Sequence, residues 1–328
     1  MMAIANSRRI MGLGAAAAAA LAVASAGAQE LAAPEKRISV TRNFAHQPVP
    51  NWQNGYVLAW DSVSTAVPYV FAFDPSGRLV TQSRMEIPQA TRIIVRNVAA
   101  APAGTLVVAG SAGTADGQFA SYLAWVSPGG KLERLVGGSM FAALRVCFAS
   151  DGTLWAFGRA RTPNYQEQPG HDVLRQYSND GRMVRSLLPR ESFARDDHRH
   201  PAEGSFLVAA KDRVGLYSTS AKEWIEVSLS GDVLGRWKGI DTGPGMMITG
   251  AAVTSSGSVY VSVQTVRGNE TKATFFRFNR EQGVWALVDG AKVLPPSRVG
   301  AIVGADDNHL VIRSSANSSL DFSWVPVE

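Results

Sequence analysis

The chain alternates short apolar runs with tight turns rich in Gly, Asp, Asn and Ser, and a pair of runs flanking one such turn recurs about ten times. Each pair reads as a β-hairpin, because Gly supplies the positive φ of tight turns and Asp, Asn and Ser bond back to the backbone. The turns form two interleaved series. One runs through FAFDPSGRLVTQ around Gly77, AWVSPGGKLERL around Gly130, RQYSNDGRMVRS around Gly181, EVSLSGDVLGRW around Gly231 and FRFNREQGVWAL around Gly283. The other runs through AAAPAGTLVVAG around Gly104, CFASDGTLWAFG around Gly152, LVAAKDRVGLYS near Arg213, AVTSSGSVYVSV around Gly257 and IVGADDNHLVIR near Asn308.

Two hairpins per period of about fifty residues make four strands per unit, which is the content of a propeller blade. Complete units are expected over about Thr91 to Gly138, Met140 to Phe193, Pro201 to Ile240 and Met246 to Gly290, with partial units at both ends. The C-terminal DFSWVPVE lacks an outermost partner strand, while RISVTRNF, Arg37 to Phe44, is a spare strand near the start. Pairing the two would close the ring and remove its exposed edges. The expected fold is therefore all-β, a six-bladed propeller of four-stranded antiparallel blades closed by an N-terminal strand. Six tryptophans, Trp60, Trp125, Trp155, Trp224, Trp285 and Trp324, fall in or beside successive strands. They read as packing between blades, with an aromatic ligand platform as the alternative.

The first 28 residues depart from this pattern. Arg8 and Arg9 precede an apolar, alanine-rich stretch from Ile10 to Val23, followed by Ala26-Gly27-Ala28. This is the layout of a signal peptide with a small-x-small cleavage site, too short for a membrane span of about 20 residues. Ser7-Arg8-Arg9 has a partial likeness to a twin-arginine signal. The division is a signal peptide over 1–28, a short linker over 29–36 and the propeller over 37–328. A periplasmic or extracellular protein without stable membrane insertion after cleavage is expected.

Charge and cysteine narrow the classes further. The net charge of +5 loses two units with Arg8 and Arg9, and the remaining basic residues are scattered rather than blocked, which argues against nucleic acid. Cys147 is the single cysteine, so an exported chain has no internal disulfide. Its place in LRVCFASDG puts it in an inner strand, as a buried thiol. Neither a Gly-x-Ser-x-Gly elbow, a His-Glu-x-x-His pair nor a phosphate-binding glycine loop is present.

Candidate chemistry lies in what differs between units. Asp196, Asp197, His198 and His200 form the densest polar cluster and could ligate a divalent metal, although a loop between repeats is also charged because it is solvated. The insertion from Arg159 to Asp172 contains His171-Asp172, readable as an acid/base pair or as a charged step into the next strand. Arg96, Arg145 and Thr249 sit early in inner strands and are candidates for lining the central channel. The arginines could fork onto an anionic ligand, or pair with carboxylates of neighbouring blades.

The turns FASDGTLWAFG and YSNDGRMVRSL resemble those of six-bladed propellers grouped as NHL-repeat and TolB-like proteins, over about Arg37 to the C-terminus. The resemblance implies the fold, and a group that includes protein-binding scaffolds, lyases and sugar-lactone hydrolases with a channel metal. The WD-repeat kind fits less well, because Gly-His and Trp-Asp markers do not recur at the period. Two functions follow. One is a monomeric propeller that binds a partner protein or small-molecule ligand at one face without intrinsic catalysis. The other is a metal-dependent hydrolase, lactonase or lyase centred on the channel. Fold alone does not choose between them.

Overall fold

Turn chemistry builds the repeat. In the computed structural model, which describes residues 29–41, 48–61, 63–162, 164, 166–193, 200–268, 270–290, 292–294, 300–316 and 319–327, the turn at Gly77 shows how. Gly77 takes a φ of +86°, and Asp74 Oδ1 accepts the backbone N–H groups of Ser76 and Arg78 at 2.9 and 3.1 Å. The Ser76 hydroxyl and the two backbone bonds hold the Asp74 carboxyl at a pKa of about 2, with Arg78 also contributing.

These hairpins assemble six four-stranded antiparallel sheets. Blade 1 holds β2 (Pro48–Gln53), β3 (Tyr56–Asp61), β4 (Tyr69–Phe73) and β5 (Leu79–Arg84). Blade 2 holds β6 (Ala90–Ala100), β7 (Leu106–Thr114), β8 (Phe119–Val126) and β9 (Leu132–Ser139). Blade 3 holds β10 (Phe141–Phe148), β11 (Leu154–Ala160), β12 (Asp172–Tyr177) and β13 (Met183–Pro189), followed by a 3-10 turn over Arg190–Ser192. Blade 4 holds β14 (Phe206–Ala209), β15 (Arg213–Ser218), β16 (Glu223–Ser228) and β17 (Val233–Lys238). Blade 5 holds β18 (Met246–Val253), β19 (Val259–Arg267), β20 (Glu270–Asn279) and β21 (Val284–Val288). Blade 6 holds β22 (Gly300–Asp306), β23 (His309–Ala316) and β24 (Ser319–Pro326), completed on the outside by β1 (Lys36–Thr41).

The closure expected from the spare N-terminal strand is present. β1 pairs with β24 in register from Lys36 opposite Trp324 to Thr41 opposite Ser319. The inner strands touch in sequence around the axis, and β2 meets β22 to complete the circle. The structure adds a sixth inner turn, at Asn54-Gly55 between β2 and β3, with φ values of 49° and 83°. Asn-Gly is the preferred pair for such a turn. Its strand PVPNWQ is obscured as a β-run by two prolines, which an innermost strand tolerates because its channel-facing edge needs no ladder bond.

Each junction between blades has its own apolar core. Leu58, Trp60, Val98 and Val108 fill the space between blades 1 and 2, Trp155, Phe157, Leu216 and Ile225 that between blades 3 and 4, and Val57, Phe71, Val311 and Phe322 that between blades 6 and 1. Trp60, Trp125, Trp155, Trp224 and Trp324 are buried, which supports the packing reading, and Trp285 is half-buried against Trp224 and Phe278. Cys147 is buried in β10, and burial pushes its thiol pKa up, away from nucleophilic character.

Of residues 29–36, read from sequence as a linker, Lys36 opens β1 and the stretch before it is pinned to the ring. Leu31 is buried in the core between blades 5 and 6, its N–H donates to Asp289 O at 2.8 Å, and Lys292 pairs with Glu30. Removing residues 29–41 strips the outer strand from blade 6 and uncovers this core. A chain starting after Thr41 is expected to be recovered as aggregate, or to lose its cooperative thermal transition. A monomeric truncation melting within a few degrees of the parent would contradict the closure.

Candidate functional site

In every blade the first-to-second and third-to-fourth strand turns lie at one face of the ring. The second-to-third loops and the connections between blades lie at the other, and the polar chemistry gathers there around blades 2, 3 and 4.

The inner strands reach this region through a repeated irregularity. A bulge interrupts β6 between Val95 and Asn97, β10 between Ala143 and Arg145, β18 between Ile248 and Gly250, and β22 between Ile302 and Gly304. The residues skipped by the ladder are Arg96, Leu144, Thr249 and Val303. A bulge re-aims the side chain it carries. Two of the three channel candidates, Arg96 and Thr249, are therefore equivalent positions, and Arg145 is one residue past the third.

Their environments differ. Thr249 is tied into the junction of blades 5 and 6. Its hydroxyl lies 3.1 Å from Ser262 Oγ, and that oxygen accepts the N–H of Ile302 at 3.0 Å. Arg145 is half-buried, donating from Nε to Ser205 O at 2.6 Å and from its terminal nitrogen to Leu144 O at 2.9 Å. Arg96 is exposed and has no hydrogen-bond partner among the described residues.

Arg96 opens onto a cleft of about 130 Å³ between blades 2 and 3. Its polar lining is Arg96, Arg159, Arg161, Ser111 and Ser121, and its apolar lining includes Ile94, Phe119, Met140 and Leu144. Arg159 donates to Glu203 Oε1 at 2.7 Å, while its own Nε is buried without a partner. Desolvation first, then repulsion from Arg159, lowers the Arg96 pKa from its ordinary value, with Glu203 opposing. Burial, then repulsion from Arg96, lowers that of Arg145. Arg96, Arg159 and Arg161 line one cleft, with Glu203 paired to Arg159, and such a gathering of guanidiniums attracts an anion.

A second cluster sits behind this cleft. His171, in the loop just before β12, and His200, in the connection between blades 3 and 4, are both buried, with their Nε2 atoms 3.2 Å apart. His171 Nδ1 lies 2.6 Å from Gln168 O, and His200 Nδ1 accepts the N–H of Ala202 at 3.1 Å. These bonds assign the protons. Nδ1 of His171 must donate, Nδ1 of His200 must be bare, and so neutral His200 donates from Nε2 to His171. Glu167 joins them, with Oε1 at 3.7 Å from His200 Nε2 and 3.0 Å from Arg190 Nε.

Glu167, His171 and His200 are the residues that could hold a metal here, since their ligand atoms lie within 4.8 Å of one another. The chemistry of the donor set weighs against it. A metal on His200 Nε2 requires the other ring nitrogen to carry the proton, yet that nitrogen already accepts from Ala202. The Glu167 oxygen is held by Arg190, and the cationic Arg190 and Arg159 next door oppose a further cation. Of the metal candidates read from sequence, Asp196, Asp197 and His198 lie outside the described residues, and His200 is engaged in the imidazole pair. Neither His171-Asp172 nor Glu167 entered that set, because the long loop hides that His171 meets His200 across 29 residues of chain.

The fold defines the class of protein: a six-bladed β-propeller with a basic, partly apolar cleft at one face. No protein-family model matches the sequence, and no curated protein matches it. Among solved structures the chain is similar to a gluconolactonase from Xanthomonas campestris, at 14% identity over 92% of this chain and 95% of that one, with a TM-score of 0.47. It is also similar to a catalytically inactive virginiamycin B lyase from Staphylococcus aureus with quinupristin, at 11% identity over 89% and 99% of the two chains, with a TM-score of 0.44. A protein of unknown function from Bacteroides caccae follows at 13% identity, 75% and 83% coverage and a TM-score of 0.43. Likenesses this remote say nothing about chemistry at the cleft.

Proposed function

We propose that this protein is an exported, monomeric propeller of the NHL-repeat or TolB-like kind that binds an anionic ligand at the cleft between blades 2 and 3, without intrinsic catalysis. The observation that carries this reading is the convergence of Arg96, Arg159 and Arg161 on one cleft, backed by Arg145, with Glu203 in ion-pair contact with Arg159. Arginine suits the role because its planar fork matches a carboxylate or phosphate. Export rests on the leader over residues 1–28, which lie outside the described residues. N-terminal sequencing of the secreted protein should begin at Gln29.

The metal-dependent alternative loses support at His200, whose bonded tautomer leaves no lone pair on Nε2. Calorimetry of the mature protein with acetate and inorganic phosphate, in physiological salt, tests the binding reading. One anion site is expected, lost in the Arg96→Gln, Arg159→Gln double variant while the fold is retained by circular dichroism. Absence of binding to the parent protein by these anions and by carboxylates with an apolar body, such as benzoate, would sink the reading.

A further inference from the structure

Resting on that binding reading, we infer that the ligand is a small monocarboxylate carrying an apolar body, and that Glu203 is a built-in competitor for the same guanidinium. Arg159 is only half used. One terminal nitrogen holds Glu203 at 2.7 Å, while Nε is buried and unpartnered. The guanidinium keeps N–H groups with no acceptor among the described residues, and Arg159 lines the cleft, so its fork is open to a carboxylate. Arg96, equivalent in its blade to the bulge residue Leu144 across the cleft, supplies the second guanidinium.

The walls say what the rest of the ligand is. Ile94, Phe119, Met140, Ala142 and Leu144 face the same space as the arginines. Phe119 and Met140 are exposed, at 36% and 49% of their full surface, so an apolar group entering the cleft would cover them. The hydroxyls of Ser111 and Ser121 are the neutral side-chain donors there, too few to match a sugar or a polyol. A cleft of about 130 Å³ is well below the ~300 Å³ at which drug-sized ligands start. Short aliphatic or aromatic acids fit these limits, and bulky, multiply hydroxylated acids do not.

Glu203 bears on the same site from the connection between blades 3 and 4. That segment is anchored two ways: His200 accepts from Ala202 and Ser205 O accepts from Arg145. Glu203 itself is the more accessible member of its pair, at 39% side-chain exposure. Replacing it with glutamine removes the negative charge paired with Arg159 beside the cleft and leaves the anchors in place. Its effect on a ligand carboxylate is therefore opposite in sign to loss of either arginine.

Calorimetric titration of the mature chain with butyrate, benzoate, acetate and inorganic phosphate at pH 7.5 and physiological salt tests both parts. Benzoate or butyrate should bind at least tenfold more tightly than acetate or phosphate. Met140→Ser should weaken benzoate several-fold and leave acetate unchanged, Arg96→Gln should weaken every anion at least tenfold, and Glu203→Gln should tighten benzoate several-fold. Equal binding of all four anions would overturn the apolar-body assignment while leaving anion binding intact. Glu203→Gln weakening benzoate would overturn the competitor role, and binding of none of the anions would remove the underlying reading as well.

Discussion

Replacing Glu226 with alanine is expected to destabilise the protein by about 3–5 kcal/mol, the usual result of removing one partner from a buried ion pair. Glu226 lies on β16 with a side chain only 1% exposed. Its carboxylate takes Arg213 of its own blade at 2.9 Å, Arg280 of blade 5 at 2.7 Å and the Trp224 indole N–H at 3.1 Å. Burial alone would raise its pKa, but Arg280, then Arg213 and Trp224, hold it below the ordinary glutamate value. Removal leaves Arg280 without its carboxylate and Arg213 with Asp212 alone at the junction of blades 4 and 5. The surface pair Lys292–Glu30 is the comparator, with both side chains around half exposed, and Glu30→Gln should cost no more than about 1 kcal/mol. Urea denaturation of the two variants checks the contrast. Equal and small losses would mean that Glu226 does not clamp the junction.

Acidification should weaken the fold before the carboxylates titrate. Burial, followed by Arg190, His171 and Arg159, lowers the pKa of His200 to about 3 from an ordinary 6.5. The charges facing it come from the 3-10 turn (Arg190), the loop before β12 (Glu167, His171) and β11 (Arg159). Between these two pKa values the unfolded chain takes up a proton that the folded chain refuses. The contribution is therefore complete above about pH 6.5 and is lost as pH falls, with a limiting slope of about 1.4 kcal/mol per pH unit. Between pH 6.5 and 5, where Asp74 and Glu226 stay ionised, the folding midpoint in urea should fall steadily. His200→Asn, whose carbonyl oxygen can still accept from Ala202, should be less stable at pH 7.5 and nearly flat over that window. An unchanged slope in the variant would assign the acid sensitivity to other groups.

Much of the architecture is legible in sequence because it is written in short-range chemistry. A hairpin turn such as Asp74 to Arg78 is specified by a few adjacent residues, and alternation of burial along β5 or β6 follows from the period of two in a strand. The first blade is less legible, since Pro48 and Pro50 break the strand pattern and leave Asn54-Gly55 as the main marker. The spare N-terminal strand and the incomplete last blade were visible as complements, and β1 pairs with β24 accordingly.

The candidate site was legible only in part. Arg96 is marked in sequence as a polar residue early in an inner strand, but Arg159 and Arg161, which share its cleft, lie over 60 residues away in the segment that also holds His171. Likewise His200 was grouped with its chain neighbours, whereas its bonded partner belongs to the preceding blade's loop. By itself the sequence determined turns, strand period, blade number and ring closure, all of which depend on residues a few positions apart or on a repeat. Tertiary structure alone decided which arginines share a cleft, which histidines share a proton and which glutamate is clamped, because those depend on the charge and solvent access of side chains brought together from separate blades.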